Sequence, residues 1–458
     1  MVATKSATAS LAQASEGAGW PRISGDYAAD SKAFSQYWRD GLAKLDALPP
    51  RRDRTAEQKA AGAAIVDDAR KSRSRFLATH GVRIYRDMTD NLTRFRRVED
   101  LAYAVADVVP GLCPTKERVA NESKYIQGDK DGHEVDQGLF FNAVLADREC
   151  GLHLCHAMLL PRKEALALLD QLNKTGRVDL EHATVERKGK ASYVYLKNSR
   201  YMNAEDDNTV GDVETCVDLA ILDPQTSVCI LRGGKIQGGK HDGKHFFCAG
   251  INLTHIYYGR LSYLWYLIRD LGFINKFYRG LAVADAPPDE MIGDSIEKPW
   301  IAAIDKFAIG GGCQYILSTD YNIAGKDAYM TLPARKEGII PGIANMRMPR
   351  FVGDRATRQA IMADMRIDCD THTGRQIIDL VVEPDAMDEA IQTTVERLTD
   401  SGVVSASGNR RAMRITAEPL DMFRTYMAVY AREQAYCHFS PALISNLERF
   451  WDAKSRTI

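Results

Sequence analysis

The chain has 458 residues, 45% of them apolar and 26% charged, and 60 basic residues against 61 acidic ones leave a net charge of −1. That length calls for two or three domains, and the near-neutral charge argues against a nucleic-acid partner or a polybasic membrane contact. No apolar run reaches membrane-spanning length, and nine scattered cysteines suit reduced thiols in a cytoplasmic setting.

The N-terminal residues are rich in Ala, Ser and Gly and lack the apolar core of a secretory signal, so 1–20 reads as a disordered leader. Helical periodicity follows. Phe34, Tyr37, Trp38, Leu42 and Leu45 mark a helix over Ala33–Leu48, closed by Pro49-Pro50. Glu57–His80 repeats the pattern, and further helices are expected over Val98–Val109, Leu139–Leu160 and Arg162–Leu172. A polar loop at 127–137 reads as free to move. Together these make 21–188 an α-helical N-terminal domain.

Near residue 190 the pattern changes. Ala191–Leu196, Ser227–Leu231, Trp300–Ile304 and Ala328–Leu332 read as short strands, with helices over Gly211–Asp223 and an aromatic-rich Tyr257–Tyr278 between them. Alternating strands and helices predict an α/β domain with a parallel sheet over 189–365. Residues 366–458 return to helical patterning.

Two glycine segments carry the chemistry. Phe247-Cys248-Ala249-Gly250-Ile251-Asn252-Leu253 and Gly310-Gly311-Gly312-Cys313-Gln314 each read as a strand end turning into a helix. Glycine there lets backbone approach a ligand, and a helix start leaves N–H groups unpaired. Two such amides aimed at one point form an oxyanion hole. Other features carry less. Gly234–His241 nearly spells a phosphate loop, but His241 replaces the magnesium-binding hydroxyl and no helix opens after it. Cys150, His153, Cys155 and His156 match no zinc spacing and read as a buried helix with incidental thiols. His245 and His255 suit a structural or rim position, and Cys248 and Cys313 small buried fillers.

From Tyr193 onward the sequence resembles the crotonase (enoyl-CoA hydratase/isomerase) superfamily. The resemblance rests on Phe247–Leu253, on Lys298–Ile304 leading to Gly310–Gln314, and on Gly338-Ile339-Ile340-Pro341-Gly342. It implies a crotonase-like spiral α/β core, an acyl-CoA ligand, and a homotrimer or homohexamer whose C-terminal helices help to cover the site. By position it assigns the oxyanion hole to the amides of Ile251 and Gly311, with Gly250 and Gly312 beside the substrate. The two glutamates of hydratases are replaced here by Gln314 and Ala334, so no paired acids remain to activate water.

One branch of the superfamily shares these replacements and the helical N-terminal extension. It implies oxidation of the α-carbon of a 3,5-dihydroxyphenylacetyl thioester of CoA by O2, with no metal, flavin or other cofactor. On that resemblance Glu205, Arg269 and Gln314 bind substrate and control charge, Arg269 and Gln314 act in catalysis, and Ala334, Ile339 and Leu253 line an oxygen pocket. Another crotonase-type thioester hydrolase or isomerase, or a silent acyl-CoA-binding subunit, stays open at this point.

Overall fold

The computed structural model describes residues 19–400 and 404–458; the expected leader, except for its last two residues, lies outside the described residues. Helices come first: α1 (Tyr27–Asp46), α2 (Ala56–Met88), α3 (Val98–Val108), α4 (Lys116–Glu122), α5 (Val135–Ala146), α6 (Arg148–Leu159) and α7 (Lys163–Thr175). Asp26 caps α1 by accepting from the Ala29 N–H, and the double proline follows its end. Thr55 and Gln58 form a reciprocal capping box on α2.

α2 runs past His80 because Ile84, Tyr85 and Met88 extend its buried stripe by another turn. The stretch expected over Leu139–Leu160 is two helices. Asp147 breaks it, its carboxylate accepting from the Cys150 N–H at 2.9 Å. The polar loop is fastened down rather than free: Glu122 accepts from the N–H groups of Asp131, Gly132 and His133 at 2.5, 3.1 and 3.1 Å, and Arg54 grips Asp131 with two bonds of 2.7 and 2.9 Å. The four Cys and His side chains of α6 are buried. There His153 pairs with Tyr85 at 2.8 Å, and both histidines stack on Phe95.

The sheet region follows as β1 (Arg177–Asp179), β2 (Ala183–Lys188), β3 (Ala191–Leu196), α8 (Asp207–Leu222), β4 (Val228–Gly233), α9 (Leu253–Tyr257), α10 (Leu264–Leu271) and α11 (Phe273–Arg279). It continues as β5 (Leu281–Ala282), β6 (Ser295–Ile296), β7 (Trp300–Ile304), β8 (Phe307–Ile309), α12 (Gly311–Ile316), β9 (Tyr321–Gly325) and β10 (Tyr329–Thr331). Then come α13 (Ala334–Glu337), α14 (Ala344–Ala363), β11 (Ile367–Asp368), β12 (Leu380–Val382), α15 (Met387–Thr399), α16 (Val404–Ala417), α17 (Leu420–His438) and α18 (Pro441–Trp451).

The main sheet has the order β1-β2-β3-β4-β7-β9-β12. Its neighbours are parallel from β3 to β12, while β1, β2 and β3 form an antiparallel meander. The sheet thus opens at Arg177, before the boundary expected at 189. β2 escaped notice because its burial fades from Ala183 to the exposed Lys188, leaving no clean alternation. A smaller sheet, β11-β10-β8, stands beside it. The aromatic helix expected over Tyr257–Tyr278 is broken, with Gly272 (φ −87°, ψ −117°) separating α10 from α11.

The C-terminal helices return to the site, and the N-terminal helices brace them. α17 lies so close to α5 that a Cβ on Gly138 would sit 2.5 Å from the Ala435 Cβ. Asn142 Nδ2 donates to the Ala428 carbonyl at 2.6 Å, and Arg424 donates to the Leu145 carbonyl.

Candidate active site

The two glycine segments lie side by side. The Cys248 carbonyl accepts from the Ile309 N–H at 3.1 Å, and Cys248 bridges Ala308 in parallel register. Gly250 adopts φ +79°, and a Cβ there would stand 2.6 Å from the Ile309 carbonyl. A Cβ on Gly312 would stand 2.8 Å from the Cys248 carbonyl. Both glycines therefore bring the segments together. Neither is among the residues lining the two cavities described below; their missing side chains allow this backbone contact.

A parallel bridge joins Glu205 to Ile251. Glu205 donates to the Gly250 carbonyl and accepts from the Asn252 N–H, each at 2.8 Å. In that pattern the Ile251 N–H points away from Glu205. Gly311 opens α12, where a first-turn N–H has no helical acceptor. Among the described residues neither amide finds a protein acceptor, and both residues line one small cavity.

That cavity measures about 20 Å³ and is bounded by Ile251, Trp265, Arg269, Gly311, Gln314, Ala334, Glu337, Ile339 and Tyr430 among others. It has space for one or two water-sized molecules. Outside it opens a cleft of about 740 Å³, lined by Arg200, Leu253, Lys336, Phe450, Trp451 and Arg456 among others. Ile251, Pro333 and Glu337 line both and so form the neck between them. Ala334 and Ile339 line the inner cavity. Leu253, the first residue of α9, lines the outer cleft.

Behind the hole sits a buried ion network. Arg269 is 2% exposed. It donates through Nε to Glu205 Oε1 at 2.6 Å, through Nη2 to Glu205 Oε2 at 3.0 Å and to the Gly311 carbonyl at 3.2 Å. Through Nη1 it reaches Asp270 Oδ1 at 2.7 Å and Gln314 Oε1. Five donors meet five acceptors, which is all that a guanidinium has. Tyr315 donates its hydroxyl to Glu205, and the guanidinium lies 5.4 Å from the Trp265 ring centroid and 5.2 Å from that of Tyr315. Burial works against the Arg269 charge, but Glu205 and Asp270 overcome it and hold its pKa well above the ordinary value. Asp270 moves up instead, because its own burial outweighs Arg269.

Glu205 is absent from the lining of both cavities, and its two oxygens accept from Arg269 and Tyr315. Arg269 borders the inner cavity with every donor already committed to protein. It positions the Gly311 carbonyl and the Gln314 amide. Because a guanidinium only donates, it fixes Gln314 Oε1 toward itself and leaves Nε2 as the free donor of a residue that lines the cavity.

Histidines stay out of the cavities. His255 pairs with Asp206 at 3.0 Å, and His245 contacts the Gly233 carbonyl at 2.7 Å. Cys313 donates to the Ala308 carbonyl at 2.9 Å, and burial pushes its thiol up. Three site residues were not legible in sequence. Trp265 lines the inner cavity with a buried Nε1–H that has no acceptor among the described residues. Tyr430 arrives from α17. Glu337 sits in an Arg335-Lys336-Glu337 run, and its place just before Gly338–Gly342 is the signal that could have found it.

The enoyl-CoA hydratase/isomerase family profile matches residues 291–433. The (3,5-dihydroxyphenyl)acetyl-CoA 1,2-dioxygenase of Amycolatopsis orientalis is 41% identical over 407 residues, spanning 89% of this chain and 92% of that protein. The crotonyl-CoA hydratase of Syntrophomonas wolfei is 25% identical over 51% of this chain and 81% of its own length. Among solved structures, an enoyl-CoA hydratase from Mycobacterium avium subsp. paratuberculosis aligns with TM-score 0.49 and 15% identity, over 61% of this chain and 99% of the other. With 41% identity along nearly the whole of a crotonase-type relative, the chain belongs to the enoyl-CoA hydratase/isomerase (crotonase) superfamily.

Proposed function

We propose that this protein is a cofactor-independent dioxygenase that converts 3,5-dihydroxyphenylacetyl-CoA and O2 to 3,5-dihydroxyphenylglyoxylate and free CoA. The likeness to the Amycolatopsis enzyme supplies the substrate class. One observation of the site carries the reaction type: two free amides border a cavity of about 20 Å³ whose walls include Ala334, Ile339 and Leu332. That is space for a small apolar gas beside an enolate.

The CoA moiety lies in the outer cleft, where Arg200, Lys336 and Arg456 meet its phosphates as cations. The thioester carbonyl reaches the Ile251 and Gly311 amides at the neck. An α-hydrogen between a thioester and an aryl ring is already acidic, and its loss sends the electron pair to the carbonyl oxygen, where those amides stabilise it. The carbanion reduces O2 and bonds to it, forming a peroxide on the α-carbon. That peroxide attacks the thioester carbonyl and expels CoA. Cleavage of the O–O bond with loss of the second α-hydrogen leaves the α-keto acid. Both atoms of O2 end in the product, so the balance closes without an external reductant. Gln314 Nε2 and the Trp265 Nε1–H are the donors that grip the ring hydroxyls or the peroxide.

The division of the chain follows the same reading: helices up to α7 brace α17, the spiral core starts at β1, and the C-terminal helices roof the cleft with Phe450 and Trp451. Assembly as a homotrimer or homohexamer is part of the proposal and is checked by light scattering. The reaction is tested by incubating the protein, stripped of metal and flavin, with the thioester under 18O2. Two labelled atoms in the glyoxylate support the proposal. CoA release without O2 uptake points instead to a hydrolase, and binding with neither signal points to a silent subunit.

A further inference from the structure

We propose that Glu337 accepts the α-proton of the bound arylacetyl thioester; this deepens the enolate reading above and rests on it. Among the described residues that line the inner cavity and the outer cleft, Glu337 is the one carboxylate, and no histidine or cysteine joins it. It borders both spaces, as do only Ile251 and Pro333. It therefore stands at the neck beside one of the two amides that receive the thioester oxygen, where the α-carbon must lie.

Its chemistry suits the task. Glu205 and Asp270 are nearby acids, but Arg269 holds both. Glu337 makes no ion pair and no side-chain hydrogen bond with the described residues, and it is 9% exposed. α13 sets its direction: the Glu337 N–H donates to the Pro333 carbonyl at 3.0 Å, and Gly338 ends the turn in a left-handed conformation. Ala334, one turn earlier, lines the same inner cavity and leaves it open.

Burial, aided by repulsion from Asp364, pushes the Glu337 carboxyl up to about 7, where a general base is most effective near neutral pH. Asp364 is itself held by Arg335 and Lys336. From other elements, Tyr266 of α10 and Cys313 of α12 are the titratable groups that feel its charge, and Glu448 of α18 is turned to Tyr257 and Lys454. In the step itself the α-C–H bond breaks, an O–H bond forms on Glu337, and the electron pair moves to the thioester oxygen.

The experiment follows deuterium wash-in at the α-carbon of arylacetyl-CoA in anaerobic D2O, with the full-length protein and with Glu337→Gln. Exchange by the parent protein, slowed at least about 100-fold in E337Q with thioester affinity within about threefold, is the expected result. Exchange by E337Q at the parental rate overturns the proposal, and so does a parent protein that exchanges nothing. Should E337Q fail to fold, the parent's own pH profile decides. Exchange must fall as pH drops through about 7, and a flat profile from about pH 5 to 9 rules Glu337 out. Exchange that depends on Glu337 but is followed in air by no O2 uptake leaves this assignment standing and removes the dioxygenase reading instead.

Discussion

Glu205 occupies the space a side chain on Gly311 would need: a Cβ there would lie 1.8 Å from Glu205 Oε2 and 2.9 Å from Arg269 Nη2. The amide of the hole and the ion pair behind it are thus one device. Gly311→Ala must push the carboxylate off the guanidinium, and breaking a buried pair costs about 3 kcal/mol or more. Urea unfolding should show that loss, with O2 uptake abolished. Gly408→Ala in α16 is the control, since nothing lies within 4 Å of its Cβ position; a gain of up to about 1 kcal/mol is expected there.

Arg269→Lys keeps the charge but has three donors for five acceptors. We expect a loss of about 3 kcal/mol in urea unfolding and a fall of at least about 100-fold in O2 uptake, because the Gly311 carbonyl and the Gln314 amide lose their anchor together. A lysine variant with parental kinetics would show that the network is structural only.

Ala334→Glu extends a carboxylate into the cavity of about 20 Å³. O2 uptake at air saturation should drop at least about tenfold while thioester affinity, read by titration, changes less than about threefold. Equal losses of both count against a separate oxygen pocket.

The Glu337 carboxyl also links stability to pH. Its folded value of about 7 exceeds the ordinary 4.5, so the folded state favours the protonated form. That stabilisation is fully present below pH 4.5 and is lost as pH rises through 7. Glu337→Gln removes the dependence. Its unfolding free energy relative to the parent should therefore rise between about pH 5 and 8, by about 3 kcal/mol at most. A pH-independent difference between the two proteins contradicts this.

Local patterning was enough for much of this. The positions of α1, β3 and β7 follow from apolar periodicity and caps, and the two glycine segments announced a pair of free amides with Gln314 and Ala334 beside them. Such features depend on neighbours within a turn or two, so the order of residues sets them. What the chain order could not reveal is who stands opposite whom. Arg269 and Glu205 stand 64 residues apart; folding brought them together behind Gly311 with every guanidinium donor matched. Gly250 and Gly312 also hold two backbones together, a contact visible only in the fold. Glu337 carried no signal of its own in the sequence, and α13 turns it into the neck, where burial raises its carboxyl. Long-range burial and charge pairing depend on elements far apart in sequence, and those distances exist only once α10, α12, α13 and α17 have packed around the hole.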